Sequence, residues 1–350
     1  MPAGNREDTD TTRNEGNHMT ETMRALQLGQ GPHWELSEVP VPQPGAGEVL
    51  IRNLASASNN ADIPMLDEAD PTNGGHGKAA VAGFEYAGEV VAVGENAGEW
   101  QPGDAVMGSI PNAFGEYVVA DHRFVQRRPE GLEPEVACAL PTGLLTEHGA
   151  LTRAGFKAGQ SVLITGASTA IGYIGVQVVK ALGANLVIGT TRSASKRQLL
   201  LDAGADEVII TDDNTSLTDE VLKLTDGKGV DVVLDHIAGQ TFADTLPATA
   251  EDGHVVNIGR LAGPASNIDL DALSYRHLTV HGVSFGYSRD WEMADVIAGL
   301  EPEVAPAVER GEIRPLIAAT LPFTESAKAE ELLRDRSTVG KVVLTFGEGN

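Results

Sequence analysis

Residues 165–184 read TGASTAIGYIGVQVVKALGA and combine small and hydroxyl-bearing side chains with the start of an apolar helical pattern. The preceding SVLIT is typical of a buried strand. A turn that leads from such a strand into a helix can hold a pyrophosphate, because the amides of the first helical turn face the anion. Small residues let the backbone approach the phosphates closely. The segment therefore predicts a dinucleotide cradle, with contacts from Ser168, Thr169, Ala170 and Ile171.

The end of the next predicted strand indicates which dinucleotide is bound. An Asp or Glu at this position would bind a ribose 2′-hydroxyl, as in NAD-binding proteins. The stretch VIGTTRSASK (residues 187–196) contains no acid and instead carries Thr191, Arg192 and Lys196. Guanidinium and ammonium groups bind a phosphate dianion well. We therefore expect a preference for NADPH, although the same two cations would also suit a solvent-exposed helix.

Strand and helix patterns alternate along this part of the chain, which predicts a doubly wound parallel sheet with helices on both faces. One long helix is expected over EPEVACALPTGLLTEHGALTRAG (residues 133–155). Ligands bind at the carboxyl ends of parallel strands. Further cofactor contacts are therefore expected from Ile237 and Ala238 after VVLDH, and from Ile258 and Gly259 after HVVN. Residues 23–60 have the pattern of short strands, and residues 83–109 alternate β-rich stretches with Gly and Asp turns, which is typical of a compact all-β region such as a small barrel.

Charge and composition exclude several classes of function. The chain has 350 residues and a formal net charge of −25, which disfavours binding to nucleic acid or anionic lipid. Acidic residues are spread over the whole chain, a pattern that suits a halophilic protein; full activity and stability in low KCl would contradict this hypothesis. The single cysteine, Cys138, excludes an intrachain disulfide and a cysteine-rich zinc site.

The ends and the hydropathy of the sequence give no sign of a membrane or secretory protein. Residues 1–22 are polar and acidic, lack the features of a signal peptide and are expected to form a disordered tail. No run of eighteen apolar residues occurs, so no transmembrane helix is expected, and the default expectation is a cytoplasmic location.

Several ordered motifs together resemble the medium-chain dehydrogenase/reductase superfamily, and within it the zinc-free quinone oxidoreductase branch. The motifs are GEVLIR followed by ASNNAD, GFEYAGEVVAVGENAGEWQPGDAV, FGEYVVA, LPTGLLTEHGAL, the cradle and the closing GKVVL. The resemblance implies an α/β fold in which a GroES-like β-rich catalytic domain (residues 23–147 and 287–350) accompanies a Rossmann NADP-binding domain (residues 148–286). It also implies a cleft between the domains and a homodimer or homotetramer.

The resemblance assigns roles to further residues. It implies that Asn59 and Thr146 lie beside the nicotinamide and that Asp62 lies near the cleft, which makes these three the expected catalytic residues. Asn59 and Asp62 could instead cap a turn. Thr211, Phe285 and Lys341 match positions that contact the cofactor in relatives.

Zinc-dependent relatives hold a catalytic ion at positions that match Asn59, Phe84 and Thr142. These side chains are poor zinc ligands, and we therefore expect no metal. Glu85 follows Phe84, but a lone carboxylate without His or Cys nearby is not a metal site.

Without the ion, reduction of an electrophilic substrate remains feasible. The expected function is hydride transfer from NADPH to a quinone or another α,β-unsaturated carbonyl. An enoyl thioester reductase is a second possibility, although ADIPMLDEADPTNGG lacks the tyrosine that serves that branch as proton donor. The third is a non-catalytic NADPH-binding protein that acts as a redox sensor or in a structural role.

Overall fold

The computed structural model describes residues 21–212, 214–285, 289–335 and 337–347. Most of the tail expected at residues 1–22 lies outside these ranges, but Thr22 already belongs to the first strand.

The strands are β1 (Thr22–Leu28), β2 (Glu35–Pro40), β3 (Glu48–Ala57), β4 (Ala80–Val81), β5 (Glu85–Val93), β6 (Ala105–Ser109), β7 (Tyr117–Asp121), β8 (Val125–Arg127), β9 (Ser161–Thr165), β10 (Leu186–Thr191), β11 (Glu207–Ile210), β12 (Val230–Asp235), β13 (Thr249–Asn257), β14 (Thr279–Gly282), β15 (Ile317–Pro322) and β16 (Lys341–Thr345). The α-helices are α1 (Asp62–Ala69), α2 (Pro134–Ala137), α3 (Pro141–Ala154), α4 (Ala170–Ala181), α5 (Arg197–Asp202), α6 (Leu217–Leu224), α7 (Gly239–Thr245), α8 (Leu270–Tyr275), α9 (Asp290–Glu303), α10 (Ala305–Glu309) and α11 (Ser326–Arg334).

Six strands form a parallel sheet in the order β11-β10-β9-β12-β13-β14. All five residues of β9 are buried, as expected for a strand covered by helices on both faces. The strand order reverses between β9 and β12, and ligands of such sheets bind at the carboxyl ends beside this point. The predicted doubly wound sheet is confirmed.

The β-rich part contains a seven-stranded sheet, with the path β15-β16-β3-β5-β6-β8 and β7 paired to β3, and a three-stranded sheet β2-β1-β4. Strand β16 comes from the end of the chain and pairs antiparallel with β3, where Val343 faces Ala57. The amide of Ser58 donates to the carbonyl of Val342 at 2.9 Å. This register brings Lys341 next to the turn that follows β3.

The single helix predicted over residues 133–155 is wrong: the structure has α2 and α3 with a break before Pro141. Pro141 has no amide hydrogen to donate to the carbonyl of Ala137, which instead accepts the amide of Leu140 at 3.2 Å, so the regular helical hydrogen bonds are interrupted there. Helix α3 runs through the predicted domain boundary between residues 147 and 148, and the domain limits stay a prediction. None of the helices in the described ranges is long and apolar enough to span a bilayer.

Candidate active site

The predicted phosphate cradle lies between β9 and α4, at the carboxyl edge of the parallel sheet. Gly166 has a φ of +63°, which L side chains rarely adopt. A Cβ atom on Gly172 would lie 2.7 Å from the carbonyl oxygen of Gly166 and 2.9 Å from the Cα of Ala167. Thr169 caps α4, because its hydroxyl accepts the amide of Gly172 at 3.1 Å. The turn is therefore tight, and it leaves the first amides of α4 without intrahelical partners.

The end of β10 closes one side of the cradle. The hydroxyls of Ser168 and Thr191 lie 2.9 Å apart, and Thr191 is buried. Arg192 is exposed and Lys196 is partly buried; within the described ranges neither pairs with an acid. The two cations predicted to recognise a 2′-phosphate thus stand one and five residues beyond the strand. Thr211, the residue after β11, lies next to the end of β10, because its amide donates to the carbonyl of Thr191 at 2.9 Å.

A fully buried carboxylate, Asp235 at the end of β12, organises the other side of the crevice. It accepts the hydroxyl of Thr165 at 2.6 Å and the amide of Ala238 at 3.0 Å. It also accepts the side-chain amide of Asn257 at 3.0 Å. Asp235 therefore ties together the ends of β9, β12 and β13. Sequence reasoning missed this residue, although an acid that directly follows a buried strand was a visible signal.

The loops anchored by Asp235 carry the four residues expected to contact the cofactor. Ala238 has the strained φ of +65°. The amides of Ile258 and Gly259 donate to the Asp235 carbonyl at 2.8 and 3.1 Å. Ile237 is partly buried, and its Cδ1 lies 2.7 Å from the position of a Cβ on Gly166. The structure brings these residues to one edge of the sheet, and their contacts with a cofactor stay a prediction.

A second buried carboxylate, Glu85 at the start of β5, organises the β-rich side. Its Oε2 accepts the Asn59 side-chain amide at 2.8 Å and pairs with the Lys341 ammonium, and its Oε1 accepts the amide of Thr142 at 2.7 Å. Glu85 is fully buried, and Lys341 is 2% exposed. Lys341 reaches Glu85 from a segment 256 residues away in the sequence, so the carboxylate is one half of a buried ion pair, and the expectation that it forms no metal site stays a prediction.

The Glu85–Lys341 pair fixes the orientation of the Asn59 amide. The ammonium of Lys341 donates to Asn59 Oδ1 at 3.1 Å, while Asn59 Nδ2 donates to Glu85. The reversed amide would place two donors together and two acceptors together, so this orientation is set by charge. One amide hydrogen is used by Glu85, and the second remains available on a side chain that is only partly buried.

Asp62 lies behind Asn59, at the first turn of α1. Its carboxylate accepts the backbone amide of Asn59 at 2.5 Å, so it also fixes the local turn, as the alternative interpretation of these residues proposed. Burial, reinforced by the charge of Glu85, raises the pKa of Asp62 to about 7, against the opposing effects of the Asn59 amide and Lys341. Asp62 therefore holds a proton up to nearly neutral pH.

The remaining predicted residues have different surroundings. Thr146 is partly buried on α3, one turn after Thr142. Phe285 packs against α3, where a Cβ on Gly149 would lie 2.1 Å from its Cζ. The described contacts of the Lys341 ammonium are with Glu85 and Asn59, so its assignment to the cofactor pyrophosphate stays a prediction.

The positions that hold zinc in metal-dependent relatives carry a poor set of donors. Phe84 has no donor atom, and the Thr142 hydroxyl lies 3.0 Å from that of Ser109. Asn59 and Glu85 are engaged with Lys341. In the described ranges, no three His, Cys, Asp or Glu side chains form a cluster that could hold a metal ion. These residues do not fit a zinc site.

Comparison with known proteins agrees with this architecture. The family model of zinc-binding dehydrogenases matches residues 170–298, and that of the alcohol dehydrogenase GroES-like domain matches residues 45–130. A quinone oxidoreductase of Pseudomonas aeruginosa is 32% identical over 307 residues, which is 86% of this chain and 92% of the relative. The chain belongs to the medium-chain dehydrogenase/reductase superfamily, in its quinone oxidoreductase-like branch. It is an oxidoreductase enzyme of that superfamily.

Two other relatives bear on cofactor and substrate. A mycobacterial protein solved in complex with NADPH has a TM-score of 0.78 and 28% identity, covering 93% of this chain and all of its own. An acryloyl-coenzyme A reductase of Metallosphaera sedula is 28% identical over 92% of this chain and 100% of the relative.

The raised pKa of Asp62 makes stability depend on pH. Because the native pKa of about 7 exceeds the ordinary value of 3.8, the fold favours the protonated acid, and stability falls as pH rises between these values. In Asp62→Asn, which keeps an oxygen acceptor for the Asn59 amide, this fall is absent. We expect the difference in unfolding free energy between Asp62→Asn and wild type to increase by about 1–3 kcal/mol in favour of the variant from pH 5 to pH 8, measured by urea titration.

The matched control is Asp67→Asn. Arg334 hydrogen-bonds this exposed carboxylate and lowers its pKa, so its contribution to stability is constant above pH 5. Parallel pH curves for wild type and Asp62→Asn would contradict the prediction.

Proposed function

We propose that this protein is a zinc-independent reductase that transfers a hydride from NADPH to a quinone or another α,β-unsaturated carbonyl. The observation that carries the proposal is the Lys341–Asn59–Glu85 arrangement. It fixes a side-chain amide donor, that of Asn59, at a position that matches a zinc ligand of metal-dependent relatives. The relatives named quinone oxidoreductase and the neighbour solved with NADPH support it.

The residues around the crevice fit an NADPH molecule. The turn at Gly166 and Gly172 is tight, because a Cβ at Gly172 would clash with its backbone. The amides of Ala170 and Ile171, at the first two positions of α4, have no helical acceptor and suit the pyrophosphate. Arg192 and Lys196 would hold the 2′-phosphate, with Ser168 and Thr191 beside them. Ile237, Ala238, Ile258 and Gly259 line the edge toward the nicotinamide. When bound, NADPH supplies the hydride.

The chain's own residues orient the substrate and stabilise the charge that develops on it. Hydride addition to a conjugated carbon moves an electron pair to the distant carbonyl oxygen, and the second amide hydrogen of Asn59 can donate to that oxygen. Lys341 and Glu85 form a neutral ion pair that holds the Asn59 amide in this orientation. The final proton is assigned to solvent, because the Asp62 carboxyl is 3% exposed and accepts the backbone amide of Asn59. Thr146 lies on the same side of α3 as Thr142.

A reductase that works without zinc is restricted in the substrates that it can use. Oxidation of a simple alcohol needs a strong acidifying group such as Zn²⁺. A quinone or enone is already electrophilic, and it needs orientation, a dry cleft and one hydrogen-bond donor. The set Asn59, Phe84 and Thr142 supplies a donor and an apolar surface, which suits the second class of substrate.

The proposal is tested by turnover. Purified wild-type protein without bound zinc should oxidise NADPH with 9,10-phenanthrenequinone or a short enone. Asn59→Ala should lower kcat by about 100-fold, the effect of removing one oxyanion donor. The matched control is Asn60→Ala, because Asn60 is the exposed neighbour in the same turn. Zinc-dependent turnover, or equal kcat values in both variants, would contradict the mechanism.

The cofactor preference is tested at the end of β10. Replacing both Arg192 and Lys196 by Ala should lower kcat/KM for NADPH by roughly 100-fold and change that for NADH by less than about threefold, because two charge-assisted bonds are lost. Arg197→Ala is the control, since this nearby cation donates to the carbonyl of Val208 at 2.5 Å. A wild-type enzyme that used NADH as efficiently as NADPH would overturn the preference.

Two alternatives are separated by the same assays. An acyl-coenzyme A thioester such as crotonyl-coenzyme A belongs in the substrate panel, because a relative of this chain is an acryloyl-coenzyme A reductase. Exclusive use of the thioester would favour the enoyl thioester reductase. NADPH binding without turnover of any quinone, enone or thioester would favour a non-catalytic redox sensor. A halophilic source remains part of the proposal, on the charge of −25, and a cytoplasmic location remains its default expectation.

We also propose a homo-oligomer, with a dimer formed at the β14 edge of the parallel sheet. Val280 on this edge strand is 43% exposed, and helix α8, which precedes it in the chain, exposes Tyr275 at 77% and Leu270 at 64%. Val280→Glu should convert a dimer to monomer in analytical ultracentrifugation, since a charge on an edge strand opposes pairing. Val93→Glu on β5 is the control, with a similarly exposed valine in the other sheet. A dimer that survives Val280→Glu would place the interface elsewhere.

A further inference from the structure

A buried acid and a buried histidine meet at the carboxyl edge of the parallel sheet, outside the Glu85 network. Glu147, in the middle of α3, is fully buried, and His236, the residue after β12, is 4% exposed. His236 Nε2 lies 3.1 Å from Glu147 Oε1. The proposed hydride transfer uses neither side chain.

The surroundings of Glu147 leave the carboxylate dependent on this histidine. Neither oxygen receives a well-directed hydrogen bond from a described residue. Helix α4 closes over the group, and a Cβ on Gly175 would lie 2.7 Å from Glu147 Cδ. An ionised carboxylate in such a place is costly unless a cation stands beside it. The imidazole of His236 is in position to be that cation.

The backbone of His236 belongs to the part of the crevice that is predicted to bind the cofactor. Its amide donates to the Thr165 hydroxyl at 3.1 Å. Its carbonyl oxygen lies so close to Gly259 that a Cβ there would be 2.2 Å away. Two residues later comes Ala238, with its strained φ. His236 is therefore the base of the loop formed by residues 236–238, and Glu147 fixes that base to α3.

The charges around His236 favour the imidazolium. Burial by itself would lower the pKa of His236, but the charge of Glu147 at 3.1 Å, helped by that of Asp235, outweighs burial and raises the pKa. The other elements packed here present uncharged groups: Thr165 from β9, Asn257 and Gly259 from β13 and the loop after it, and Gly175 from α4. When the imidazolium loses its proton, Glu147 is left as an uncompensated buried charge.

We propose that Glu147 and His236 are a positioning pair that holds the 236–238 loop in its cofactor-binding conformation, so that NADPH binds more weakly once the pair loses its proton. This inference rests on the proposed function, because it needs NADPH as the ligand. It assigns the pair a role in binding rather than in the transfer of hydride.

The test is the dissociation constant of NADPH at pH 7, 8 and 9, measured by calorimetry on the full chain. The 2′-phosphate is already ionised in this range, so the ligand adds little pH dependence of its own. In wild type, the dissociation constant should rise about tenfold from pH 7 to 9, which corresponds to about 1.4 kcal/mol. In Glu147→Gln, which keeps the shape without the charge, it should stay constant within about twofold.

A second variant and a matched control complete the experiment. The double variant Glu147→Gln/His236→Gln removes both charged groups. Its dissociation constant for NADPH should be as insensitive to pH as that of Glu147→Gln. His148→Gln is the control: His148 is 3% exposed on the same helix and lies 3.0 Å from Glu303, but it contacts α9 instead of the crevice. It should keep the wild-type pH profile.

Unfolding without cofactor provides an independent readout. A histidine whose pKa is raised on folding adds stability below its ordinary pKa of 6.5, and that stability is lost as pH rises through the native pKa. The midpoint of the wild-type unfolding transition should therefore fall relative to that of Glu147→Gln as the pH rises from 6.5 to 9. An NADPH affinity with the same pH dependence in wild type and Glu147→Gln would overturn the inference alone. A wild-type protein that binds no NADPH at any pH would overturn the proposed function itself.

Discussion

A buried carboxylate must find donors or a cation inside the fold, and this constraint organises the β-rich side of the molecule. Glu85 meets it with groups from three separate segments: the Asn59 side chain after β3, the Thr142 amide at the start of α3, and Lys341 on β16. Removing one partner of a buried ion pair typically costs about 3–5 kcal/mol. The need to satisfy Glu85 therefore ties the last strand of the chain and the linking helix to the site.

The same constraint recurs on the Rossmann side. Asp235 collects donors from the ends of β9, β12 and β13 and so shapes the crevice at the point where strand order reverses. Helix α3 connects the two systems, because its first turn donates to Glu85 and its middle carries Glu147 against His236. A single helix thus sets the separation between the Asn59 donor and the proposed nicotinamide edge.

The electrostatic arrangement explains how a strongly acidic chain can hold an anionic cofactor. With 50 acidic and 25 basic residues, the molecule repels anions at long range. In the binding proposed here, the attraction comes from local groups: the amides of α4, and Arg192 and Lys196, which have no acidic partner within the described part of the chain. In high salt the long-range repulsion is screened, while contacts at hydrogen-bond distance persist.

Local patterns in the sequence determined the parallel sheet, the cradle at residues 166–172 and the lack of an acid after β10. These features depend on neighbouring residues, through hydrophobic periodicity, small side chains in a tight turn and the chemistry of one strand end. Periodicity could not separate α2 from α3, because the apolar spacing continues across Pro141. Only the tertiary structure revealed Glu85 with Lys341, Asp235 with Asn257, and Glu147 with His236. Each pair joins segments distant along the chain, and its partners can be identified only when strand register and helix packing bring two buried groups within hydrogen-bonding reach.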